Sequence, residues 1–169
     1  MKKSIYFLTV MLIVSVVAGT AVCAQTSVRP NMLRVTGDIS NPLELSYGSL
    51  LTMPRTEVAR KDKDGKIHMY KGVLLSEILM RAGASLGKDL HGRNLAKYAL
   101  IQAGDGYQVI FALPELDEAF ADRKVILADR VDGAPLPTLE GPLRVIVADE
   151  KRPARCIRQV TEIRIENAR

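Results

Sequence analysis

Three Asp-Gly pairs, Asp64-Gly65, Asp105-Gly106 and Asp132-Gly133, each following or dividing short apolar runs, constrain the fold more than any other feature of the chain. Aspartate and glycine accept the positive φ that a tight reversal requires, so short strands must turn back on themselves repeatedly. Around the first pair, residues 56–60 and 67–70 read as the arms of a β-hairpin. In its return arm Ile67 and Met69 fall on one side and Lys66, His68 and Tyr70 on the other, which puts His68 on the polar face. The second pair joins 99–101 to 109–112, and the third turns the chain after 125–128. Residues 143–147 read as a buried strand. Residues 33–37 alternate apolar with polar, as do Thr161, Ile163 and Ile165 with Glu162, Arg164 and Glu166 in a half-exposed final strand.

Helical signals are shorter. Asn41-Pro42 turns the chain, and Ser46 can cap a helical turn through Leu50 and Leu51 that Pro54 stops. Leu74, Ile78 and Ala82 fall at helical spacing with Leu75 and Leu79 alongside, and Gly83 closes the segment as a C-cap does. Residues 114–120 read as a further short helix. Strands dominate and helices are inserts, which gives a mixed, strand-rich α+β domain rather than a βαβ repeat.

The chain opens with Lys2 and Lys3, continues through an apolar run from Ile5 to Ala18, and then presents Ala21-Val22-Cys23-Ala24. That is the layout of a secretory signal peptide over residues 1–24, too short for a comfortable membrane span. Residues 25–31 read as a polar linker and 32–169 as one domain, placed in the periplasm or secreted, with no membrane span after cleavage. The formal net charge of +5 is spread among acids, and aromatic residues make up only 5%, so no basic stripe with interleaved aromatics indicates nucleic acid. Of two cysteines only Cys156 remains after cleavage, so the domain is held by packing and not by an internal disulfide.

Few residues offer chemistry. His68 and His91 have no paired ligand nearby, and no metal site is expected from them. Asp62-Lys63-Asp64-Gly65 reads as a turn, since Val73 stands where a calcium loop needs glutamate. Ser49 lies in no nucleophile elbow. Cys156 lies near Arg155 and Arg158, cations that favour a thiolate, although an inert buried thiol is the plainer reading. Lys151, Arg152, Arg155 and Arg158 form a basic cluster suited to a phosphate or carboxylate, or else a solvated loop partly neutralised by Asp149 and Glu150.

Taken in order, Val35-Thr36-Gly37 with Asn41-Pro42, the run from Lys71 to Leu79, Asp105-Gly106-Tyr107, Leu127-Ala128 with Asp132-Gly133-Ala134-Pro135-Leu136, and the run from Gly141 to Val147 resemble the molybdopterin-binding domain of sulfite-oxidase-type oxidoreductases. The resemblance runs from Leu33 to Ile165. It implies the α+β sulfite-oxidase fold and a pyranopterin dithiolene carrying molybdenum as the family's cofactor. In that family a cysteine thiolate from the segment before the Lys71–Leu79 motif ligates the metal. Residues 57–62 fill that segment here and contain no cysteine. Neither Ala59 nor Arg60 replaces a soft thiolate. Arg155-Cys156 stands where the family places a Lys-Trp pair. Two readings follow. One is an exported molybdopterin-oxidoreductase-like domain that keeps pterin or anion binding at Lys151, Arg152, Arg155 and Arg158, without molybdenum catalysis of its own. The other is a non-catalytic binding module on the same fold, with a periplasmic protein partner.

Overall fold

The strands that the Asp-Gly turns divide assemble into two five-stranded sheets in a computed structural model that describes residues 32–168. The expected leader and linker, 1–31, lie outside the described residues. In chain order the strands and helices are β1 (Met32–Gly37), β2 (Leu43–Ser46), α1 (Tyr47–Leu51), β3 (Thr56–Lys61), β4 (Ile67–Leu74), α2 (Leu75–Arg81), β5 (Lys97–Ala103), β6 (Gln108–Ala112), α3 (Leu113–Leu116), β7 (Val125–Val131), β8 (Ala134–Pro135), β9 (Arg144–Val147) and β10 (Val160–Asn167). Short 3-10 turns fill parts of the connections. Among the described residues no helix is long and apolar enough to cross a membrane.

The first sheet has the order β2-β1-β10-β5-β6. Its final strand is its centre, parallel to β1 and antiparallel to β5. The second runs β3-β4-β7-β8, with β9 also paired to β7. Alternate residues of β7 and β9 serve two cores. Val125, Leu127, Val145 and Val147 join the large core with Leu33, Ile101, Phe111, Ile163 and the helix residues Ile78 and Leu79. Ile126, Ala128 and Ile146 join a smaller one with Val58, Tyr70 and Leu136. Burial on both faces is why these two strands read as continuous apolar runs.

Local signals explain most of the elements. The Ser46 Oγ accepts from the Ser49 amide at 3.1 Å and starts α1. Gly83, at φ +73, closes α2. The Asp62–Lys66 reversal is closed by the Asp62 amide donating to the Lys66 carbonyl at 2.9 Å, with Gly65 at φ +82. Two expectations need correction. The helix over 114–120 is only α3, because Asp117 takes an extended backbone and turns its carboxylate to the amides of Gly87 and Ala119. The two sides of β4 divide as expected, but with burial reversed: Ile67 is 70% exposed and Tyr70 only 2%. Tyrosine tolerates that position because its hydroxyl finds partners inside.

Candidate functional site

A cleft of about 720 Å³ opens where the β3–β4 turn, the β7–β8 turn and the segment before β10 meet. That volume suits a small organic ligand. Tyr70 and Arg144 lie along it, each carried by a strand of the second sheet and each facing the smaller core.

A continuous polar chain crosses this cleft. The Arg60 Nη1 donates to the carbonyls of Val147 at 2.5 Å and Glu150 at 3.2 Å, while its Nε donates to Asp62 at 3.3 Å. The Tyr70 hydroxyl donates to the other Asp62 oxygen at 2.5 Å and accepts from Arg144 Nη1 at 2.9 Å. The same Nη1 donates to Glu140 Oε2 at 2.7 Å, and Arg158 Nη2 donates to Glu140 Oε1 at 3.2 Å. Arg144 also sits over the Tyr70 ring, 5.3 Å from its centroid. Burial pushes the Tyr70 hydroxyl well above its ordinary pKa, with the bond to Asp62 adding to the shift, so it remains a neutral donor.

Arg144 is the unusual member. Its side chain is only 4% exposed, and its Nε has no hydrogen-bond partner among the described residues. A buried guanidinium with an unmet donor is costly, and such groups call for an acceptor from elsewhere.

The wall is held by His68, whose Nδ1 meets Asp132 at 2.6 Å and whose Nε2 meets Asp64 at 3.0 Å. These bonds, that to Asp132 first, raise the imidazole to about 9, and His68 in turn lowers both carboxylates. At neutral pH an imidazolium therefore ties the β3–β4 turn to the β7–β8 turn. The Tyr107 hydroxyl reaches the Ala154 carbonyl at 3.1 Å across the same cleft.

The basic cluster read from sequence is divided by the fold. Arg158 lines the cleft. Arg155 turns to other neighbours: Glu150, Glu115 at 3.1 Å, and the face of Phe111 at 4.4 Å. Lys151 and Arg152 are exposed, and among the described residues neither makes an ion pair. Cys156 lines the cleft but is 4% exposed, and burial raises its thiol despite the charges of Arg60 and Arg144. Tyr70, Arg144, Glu140, Asp62 and Arg60 were not singled out as site residues. The available signal was Arg144 itself, an arginine inside the apolar run 143–147.

A family model, the oxidoreductase molybdopterin binding domain, matches residues 64–169, which hold every residue lining the cleft except Asp62 and Lys63. The chain belongs to this family. Among solved structures it is similar to the sulfane dehydrogenase SoxCD from Paracoccus pantotrophus, at 17% identity and a TM-score of 0.65 over 84% of this chain. At that identity the likeness shows the fold, the molybdopterin-binding sulfite-oxidase type. The match spans 39% of that chain. No curated protein matches the sequence.

The cleft residues of this family member fit part of the family's cofactor. Arg144, Arg158 and Tyr70 suit an anionic, hydrogen-bonding organic group. For the metal they offer little. The inward residue near the end of β3 is Arg60, 3% exposed and bonded to two carbonyls, and the sole thiol among the described residues, Cys156, is held protonated by burial.

Proposed function

We propose that this chain is an exported molybdopterin-oxidoreductase-like domain whose cleft binds an anionic organic ligand, the pterin or a group of like charge, without molybdenum turnover of its own. The signal-like segment 1–24 motivates export to the periplasm or beyond. One observation carries the ligand reading: Arg144, buried beside the cleft with a donor that no described residue satisfies. Of the four basic residues expected to bind, Arg158 is the one assigned to the ligand. Arg155 is committed to Glu115 and Glu150.

The test is to express the full chain in a host that makes molybdenum cofactor, purify the exported form and measure released pterin by fluorescence. Wild type is expected to carry pterin. Arg144→Met should lower the content at least about tenfold, in line with the roughly 1.5–3 kcal/mol of a hydrogen bond to a charged group. Arg158→Ala should lower it less, and Arg155→Ala should leave it unchanged. Pterin-free wild type with a stable fold would sink the proposal.

That outcome would favour the second reading, a non-catalytic interaction module for a periplasmic protein. Its motivation is β3, which among the described residues pairs only with β4 and leaves its outer edge beside a groove of about 760 Å³ lined by Glu57, Ala59, Arg123 and Asp149. An open strand edge is a ready template for an added strand.

A further inference from the structure

We infer that Glu140 is a built-in occupant of an oxyanion seat formed by Arg144 and Arg158, and that a phosphate-bearing ligand enters by displacing it. This rests on reading the cleft as an anion site. The Glu140 carboxylate gives one oxygen to each arginine, at 2.7 Å and 3.2 Å, which is the way two guanidinium groups share an incoming anion. Its attachment to the fold is through the backbone. The Glu140 amide donates to the Pro137 carbonyl at 2.8 Å, and the Glu140 carbonyl accepts from the Gln159 amide at 3.1 Å. The side chain can therefore swing toward solvent, to which it is already 22% exposed, without breaking either bond.

Arg144 cannot follow it. At 4% exposure, fixed under Tyr70, its charge would remain buried and unpaired once Glu140 left. Departure of Glu140 is thus coupled to arrival of another anion, and the carboxylate keeps the seat closed to weakly charged molecules. A phosphate fits the seat better than a second carboxylate. Its oxygens take both contacts that Glu140 makes, and its second negative charge answers two guanidinium groups where a carboxylate brings only one.

The test titrates the full chain with inorganic phosphate and, separately, with acetate, at constant ionic strength, by calorimetry. Glu140→Gln keeps the side-chain shape and removes the competing charge; it should bind phosphate at least about tenfold more tightly than wild type. Glu140→Asp, which shortens the reach, should fall between them and carries the test if Glu140→Gln fails to fold. Adding Arg158→Ala to Glu140→Gln should abolish the gain, and acetate should bind more weakly than phosphate throughout. Equal phosphate affinity in wild type and both Glu140 variants would overturn the displacement while leaving the cleft an anion site. Binding of phosphate to none of them would overturn the anion reading as well. Acetate binding Glu140→Gln as tightly as phosphate would overturn the choice of phosphate.

Discussion

Arg144 sits in a strand of valine and isoleucine, where a charge is tolerated only if acceptors surround it, and those acceptors come from outside the strand. Tyr70, 74 residues distant, takes one contact, and Glu140, one turn of chain earlier, takes another. His68 is the second residue whose environment decides its state. Its folded value of about 9 lies above the ordinary 6.5, so its protonated form adds stability fully below pH 6.5 and loses that contribution as pH rises through 9. The melting temperature of wild type should therefore exceed that of His68→Gln most at pH 6, with the gap closing by pH 9.5. A gap independent of pH over that range would contradict the clamp. At this scale the sequence was only partly legible. Lys151, Arg152, Arg155 and Arg158 stand close along the chain, which suggested one patch, yet the 3-10 turn Pro153–Arg155 sends Arg155 to Glu115 and leaves Arg158 at the cleft. Local spacing does not report which way a side chain leaves a turn.

The elements that hold the cleft depend on close backbone approach. A Cβ on Gly72 would lie 2.2 Å from the Leu127 carbonyl oxygen and 2.6 Å from Ala128 Cα, where β4 shifts register against β7 between Lys71 and Gly72. The contacts are backbone, so neither strand can yield without breaking the pairing. Gly72→Ala should cost about 3 kcal/mol, the upper end for overpacking, seen as a lower urea midpoint. An unchanged midpoint would show that β4 can part from β7 without loss. Hairpins were legible because Asp-Gly pairs state their turns locally, and α2 because its apolar spacing is helical over two turns. The short strand β2 went unread, since the alternation of Leu43 and Leu45 with Glu44 and Ser46 is only four residues long and its conformation is fixed by pairing with β1. The reversed burial of β4 has the same kind of cause. Tyr70 is inside because Asp62 of its own hairpin and Arg144 of β9 satisfy its hydroxyl, and the second of these exists only in the assembled sheet.

Across the whole molecule, the strand-rich α+β class was legible, and the arrangement was not. The last strand is the middle of the first sheet, joined to the first strand in parallel, a pairing with no local signature. Sulfite-oxidase-type membership was carried by ordered motifs, and the match over residues 64–169 agrees with it. What the fold then delivers is a cleft with arginines suited to an anion, Arg60 as the inward residue near the end of β3, and a single described thiol, Cys156, that burial holds protonated. The most direct measurement is the molybdenum-to-protein ratio of the full chain matured in a cofactor-producing host, determined by plasma mass spectrometry on the purified protein. The account predicts a ratio far below one. One tightly held molybdenum per chain, cycling between redox states, would contradict it.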